Sequence, residues 1–147
     1  KNKKVKIESS VKSMLKKEEN FGIKNFKTYE EFGKKVYQIR ENVIKNIKKL
    51  KKENKSIIGY GSPAKATTAL NFFGISEEID FIVEDNKLKH NKFIPGVKIP
   101  IKSKSTIKNK DNALLILAWN FYDDIKKNNS MLSNKFINIK DLETNNS

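Results

Sequence analysis

The chain has 147 residues, 37% hydrophobic and 33% charged, which suits one folded domain with a single core rather than a disordered tail or two full domains. Cysteine is absent and His90 is the single histidine, so a disulfide framework, a thiolate metal site and a histidine cluster are excluded; no apolar run approaches the roughly 20 residues that span a bilayer, and the chain reads as cytoplasmic, with no membrane partner. The formal charge of +14 comes from lysine spread over the whole chain, with Arg40 the one arginine, which reads as compositional bias that steers anions generally and not as a nucleic-acid reader, which draws on arginine for bidentate contacts.

The chain opens at Lys1 rather than Met, which points to a piece of something longer. Val11 to Glu19 carries Val11, Met14 and Leu15 among lysines, a short amphipathic helix, and Phe21-Gly22-Ile23 breaks it; residues 1–27 read as a linker and short helix from an upstream domain. Thr28-Tyr29-Glu30-Glu31 matches a capping box and predicts a helix start. Tyr29, Phe32, Val36, Ile39, Val43, Ile47 and Leu50 then recur at spacings of three and four, an apolar stripe that predicts core packing along a helix to about Lys52.

Beyond Glu53 the pattern changes to short apolar runs separated by helical pieces. Ile57 to Tyr60 predicts a buried strand, Ala64 to Phe73 a helix ended by Gly74, and Ile79 to Val83 a second strand. Pro95-Gly96 and Pro100 mark an irregular segment, with Ile99 and Ile101 as an edge strand. Ala113 to Ala118 is the clearest buried strand, Tyr122 to Lys127 a short helix, Phe136 to Ile139 a last strand, and 143–147 a polar tail that frays. This alternation over 28–142 predicts an α/β domain: a Rossmann-like, doubly wound, mostly parallel sheet with the long amino-terminal helix packed on it.

Gly59-Tyr60-Gly61-Ser62-Pro63-Ala64-Lys65 stands where the first strand turns into a helix. The glycines allow a tight turn, Ser62 is suited to cap, and Pro63 suits the first helical position. The free first-turn amides and the helix dipole favour an anion, and Lys65 adds a full charge, so a phosphate or diphosphate is the natural guest; a tight turn without a ligand is the structural alternative, since the third glycine of the dinucleotide fingerprint and the P-loop spacing are both missing. Glu84 and Asp85 follow the second strand where such folds place a carboxylate for ribose hydroxyls, or else open a solvated turn with Asn86. Trp119 and Asn120 end the strongest strand, placed either to stack on a base and bond a polar edge or simply to close the core. His90 has no identifiable partner and reads as a surface residue; no catalytic residue and no metal ligand is expected.

Three blocks, Ile58 to Lys65, Lys89 to Ile101 with Phe93-Ile94-Pro95-Gly96 inside it, and Leu115 to Phe121, resemble in residues, order and spacing the signatures of the carboxyl-terminal domain of sugar C-methyltransferases, over about Val11 to Asp141. The resemblance implies a three-part enzyme: a zinc-binding domain, a central S-adenosylmethionine-binding domain with the catalytic base, and this domain, with a thymidine-diphosphate keto-sugar between the last two. It implies substrate contacts from Gly59 to Lys65, Pro95-Gly96 and Trp119-Asn120, with S-adenosylmethionine bound by the central domain and no cofactor expected in this chain. The chain departs at Ser62, where alanine is usual, and at Asn91, where a small residue or glycine is common. The resulting expectation is the nucleotide-diphosphate-sugar-binding domain of an S-adenosylmethionine-dependent sugar C-methyltransferase, inactive without the upstream methyltransferase domain of the same polypeptide. A stand-alone nucleotide- or phosphometabolite-binding module is the alternative.

Overall fold

A computed structural model describes residues 7–53 and 56–144; residues 1–6 of the expected linker and 145–147 of the expected tail lie outside them. The chain divides into two compact units, Lys1–Gln38 and Ile39–Ser147.

In the first unit, α1 (Ser9–Phe21) is amphipathic and has no buried residue. Gly22 ends it in the left-handed conformation at φ 81°, which glycine adopts without steric cost; the Gly22 and Ile23 amides donate to the Glu19 and Glu18 carbonyls, satisfying two of the last carbonyls of the helix. The next helix, α2 (Phe26–Glu53), starts before the expected Thr28. Asn25 caps it: its side chain accepts from the Lys27 amide at 3.0 Å and its carbonyl from the Thr28 amide at 3.1 Å. The Thr28 capping box is therefore not the start, because Asn25 has already satisfied those donors. The Tyr29 hydroxyl donates to the Ile23 carbonyl at 2.6 Å, and Phe21, Ile23, Thr28, Tyr29 and Phe32 line an apolar hollow of about 300 Å³.

The expected core stripe along α2 needs a correction. Val43, Ile47 and Leu50 are buried, but Tyr29 and Phe32 are 56% and 66% exposed, and Val36 and Ile39 are half-buried. Periodicity marks a face as apolar and says nothing about what covers it. Asn42 and Asn46, buried beside Val43 and Ile47, donate to the Glu143 carbonyl and to the Leu142 and Thr144 carbonyls, at 2.8 to 2.9 Å, so the chain just after the last strand is bonded to this helix.

The second unit is built on an all-parallel sheet of β1 (Ile57–Tyr60), β2 (Phe81–Val83), β3 (Ile101–Lys102), β4 (Ala113–Ile116) and β5 (Lys135–Asn138), in the order β3-β2-β1-β4-β5. Helix α3 (Ala64–Phe73) joins β1 to β2, and α4 (Tyr122–Asn128) joins β4 to β5. β1 and β4 pair at the centre and are buried at every position, which is why they read as unbroken apolar runs rather than alternating ones. The strands divide their side chains between two cores, as their period of two dictates. Ile57, Ile82, Leu115 and Leu117 share one with α3 and the second half of α2; Ile58, Tyr60, Val83, Leu114 and Ile116 form the other with Tyr122, Ile125 and Phe136. Gly59 sits on the first of these faces because a β-carbon there would stand 2.7 Å from Ile82 Cγ1 and 3.1 Å from Leu117 Cδ1.

Several boundaries move. β2 begins at Phe81, not Ile79, and β4 stops at Ile116, not Ala118, with Trp119–Phe121 turning as a 3₁₀ segment. β5 starts one residue early and ends one residue early, at Asn138. The edge strand includes Ile101 but not Ile99, which is buried outside it. The loop before it holds Asn91 at φ 60°, a conformation asparagine tolerates better than most residues. From the centre of the sheet β1 leads through α3 toward β2 while β4 leads through α4 toward β5. Their carboxyl ends therefore diverge and leave a crevice at the switch point.

Candidate binding cleft

At the carboxyl ends of β1, β2 and β4 lies a cleft of about 340 Å³ lined by Tyr60, Gly61, Ser62, Pro63, Glu84, Asp85, Lys89, Ala118, Phe121 and Ile125. Ala118, Phe121 and Ile125 supply an apolar side; Ser62, Glu84, Asp85 and Lys89 supply a polar one. Gly61 makes the turn at φ 86°, where a β-carbon would also press on Ala118 at 3.0 Å; its amide donates to the Val83 carbonyl, tying the turn to β2.

Ser62 does not cap α3, contrary to expectation. The N-cap is Pro63, in extended conformation and without a side-chain bond, and Ser62 turns across the cleft: its hydroxyl and its amide both donate to Glu84 Oε2, at 2.6 and 2.9 Å. The other Glu84 oxygen accepts from the Asp85 and Asn86 amides at 2.9 and 3.2 Å. Lys89 completes the knot, its ammonium 2.9 Å from the Ser62 carbonyl and 3.4 Å from Glu84 Oε2. Burial alone would raise the Glu84 carboxyl; the bonds from Ser62 and Asn86 and the Lys89 charge outweigh it and bring it down to about 2, because donors to the ionised form favour that form. His90 Nε2 lies 2.7 Å from the Glu84 carbonyl.

A second network runs beside the first. The Tyr60 hydroxyl donates to Asp85 Oδ2 at 2.7 Å, and Lys104 meets Asp85 Oδ1 at 2.7 Å and Asn129 Oδ1 at 3.1 Å. The hydrogen bond from Lys104 holds the Asp85 carboxyl below its ordinary range, whereas burial, followed by the bond to Asp85, pushes the Tyr60 hydroxyl up. Lys104 had no signal in the sequence, since it reaches Asp85 only through the fold; Lys89 opens the second of the three blocks, but nothing there paired it with Glu84.

Trp119 and Lys65 lie outside the cleft lining and meet each other, with Lys65 Nζ 4.1 Å from the ring centroid. Both are half-buried, and Trp119 packs on the core shared by α2 and α3, so it does close the core. Ala64 and Asn120 are exposed, each next in sequence to a residue that lines the cleft. Gly59 is enclosed within β1. Pro95 and Gly96 sit elsewhere, against the second half of α3: the Asn71 amide donates to the Pro95 carbonyl at 2.9 Å, and a β-carbon on Gly96, at φ 83°, would collide with the Asn71 side chain. The structure thus brings together Tyr60 to Pro63 with Glu84 and Asp85, and places Lys65 with Trp119 as a separate pair. Among the described residues no group of three His, Asp or Glu side chains is arranged to hold a metal.

Glu84 has its oxygens occupied and stays ionised, and the Tyr60 proton is committed to Asp85, so neither group is poised to take or give a proton near neutral pH.

Fold and cleft together define a doubly wound α/β domain with a polar crevice at its switch point. The family model for the C-methyltransferase C-terminal domain matches residues 1–138, and the chain belongs to that family. It is 30% identical over 124 residues to the C-methyltransferase NovU of Streptomyces niveus, an alignment that covers 83% of this chain and 30% of the relative. The chain therefore spans less than a third of the length of that relative.

Proposed function

We propose that this chain is the domain that holds the nucleotide-diphosphate sugar in an S-adenosylmethionine-dependent sugar C-methyltransferase, with methyl transfer carried out by a separate domain of the same polypeptide. The observation that carries this reading is the electropositive mouth at the switch point: the first turn of α3, with Lys65 in it, opens beside a cleft whose own carboxylates are already neutralised by Lys89 and Lys104. Helix amides and an unspent ammonium favour a diphosphate. The apolar side formed by Ala118, Phe121 and Ile125 suits the face of a nucleoside.

S-adenosylmethionine does not fit this crevice. Its sulfonium is a cation, and the helix amino terminus and Lys65 oppose a positive charge there. What this chain contributes is binding and orientation of the sugar nucleotide. In the cytoplasmic setting expected of such an enzyme, the lysine excess raises the local concentration of anionic substrate.

Calorimetric titration of the chain with a thymidine-diphosphate sugar is expected to give weak binding, and titration with S-adenosylmethionine none. Binding of S-adenosylmethionine alone would sink the proposal.

A further inference from the structure

Resting on that reading, we infer that Trp119 is a positioning residue for Lys65: its ring holds the ammonium at the first turn of α3, beside the crevice, as a ready cation for the diphosphate. Three observations lead there. Lys89 and Lys104 are paired with Glu84 and Asp85, whereas among the described residues no carboxylate lies within ion-pair distance of Lys65. Its ammonium rests instead on the Trp119 π face at 4.1 Å. The two side chains come from different elements, the first turn of α3 and the turn after β4, so the contact is made by the fold and is not a local accident of sequence.

The chemistry of the pair suits the task. A carboxylate partner would fix Lys65 equally well, but it would cancel the charge and compete with the phosphate. An aromatic face attracts a cation through its quadrupole while leaving the net charge in place. It also removes rotamer freedom from a long side chain before the ligand arrives, so less ordering is left to be done on binding. The contact engages one side of the ammonium and leaves its other N–H donors free, so it can persist while the diphosphate is bound. Trp119 itself is held by the core beneath it, which keeps the platform rigid.

The test uses the whole chain with two probes, thymidine diphosphate and thymidine. Lys65→Ala is expected to weaken the diphosphate and leave the nucleoside unchanged. Trp119→Leu, which keeps an apolar side chain and removes the π face, should weaken the diphosphate roughly three- to tenfold, again sparing thymidine, and Trp119→Phe should restore most of the loss. The double variant Lys65→Ala/Trp119→Leu should bind no worse than Lys65→Ala alone. Trp119 is the one tryptophan of the chain, so its emission reports the contact directly in the unmutated protein: it should shift as thymidine diphosphate is added, and not in Lys65→Ala. Diphosphate binding by the unmutated chain with no emission shift, or additive losses in the double variant, would overturn this inference and leave the proposed function standing. No diphosphate binding at all would overturn both.

Discussion

Glu84 is a carboxylate whose charge is used by the protein itself. Five donors, the Ser62 hydroxyl, the amides of Ser62, Asp85 and Asn86 and the Lys89 ammonium, converge on its two oxygens, and its carboxyl is held at about 2 against an ordinary 4.5. A folded-state value below the unfolded one means that ionised Glu84 stabilises the fold above the ordinary carboxylate range, and that this contribution is lost as pH falls from 4.5 toward 2. Thermal unfolding followed by circular dichroism should therefore show a Tm that drops through that window. Glu84→Gln should flatten the drop and cost about 1.5–3 kcal/mol near neutral pH, the range for hydrogen bonds to a charged group. A pH profile unchanged by the substitution would show that the carboxylate is not bonded as described. The residue itself was visible as an acid at the end of β2, in the position that nucleotide folds give to a ribose ligand; that it turns inward onto Ser62 was not, because the donors come from a turn more than twenty residues earlier and approach it only when β1 and β2 pair.

At the scale of elements, α2 carries one apolar stripe with two fates. Val43, Ile47 and Leu50 lie in the core while Tyr29 and Phe32 face outward, although all five belong to one stripe built on steps of three and four. Ile47→Ala should cost about 2–5 kcal/mol as a buried large-to-small change, and Phe32→Ala should stay within about 0.5 kcal/mol, both read from denaturant unfolding. Equal losses would restore the uninterrupted stripe. The strands and short helices of the second unit were better defined in the sequence, because Gly74, the Pro63 turn and the apolar runs are local signals whose conformational meaning does not depend on distant residues. Boundaries slipped where a distant partner decides them: Leu117 still donates to the Tyr60 carbonyl, yet the chain has left the ladder and begun to turn.

For the molecule as a whole, stability should be spread unevenly. α1 buries nothing and β1 and β4 are buried throughout, so local opening should be easiest in the first and require nearly global unfolding in the others. Hydrogen exchange read by mass spectrometry is expected to show α1 amides exchanging fastest and those of β1 and β4 slowest; protection of α1 comparable to that of β4 would contradict the burial. The lysine excess, by contrast, belongs to no single element, and its consequence is a long-range field rather than a site.

By itself the sequence determined the alternation of strands and helices, the glycine turn after β1 and the three blocks that mark the C-methyltransferase family, since each is encoded over a few residues by backbone freedom or side-chain periodicity. Tertiary packing set which half of α2 is covered, that Ser62 serves Glu84 instead of capping α3, that Pro95-Gly96 packs on Asn71 outside the cleft lining, and that Lys65 rests on Trp119. Each of those depends on groups distant in the chain meeting at bonding range, and such meetings follow from the strand order and the packing of the two faces, which no local pattern encodes.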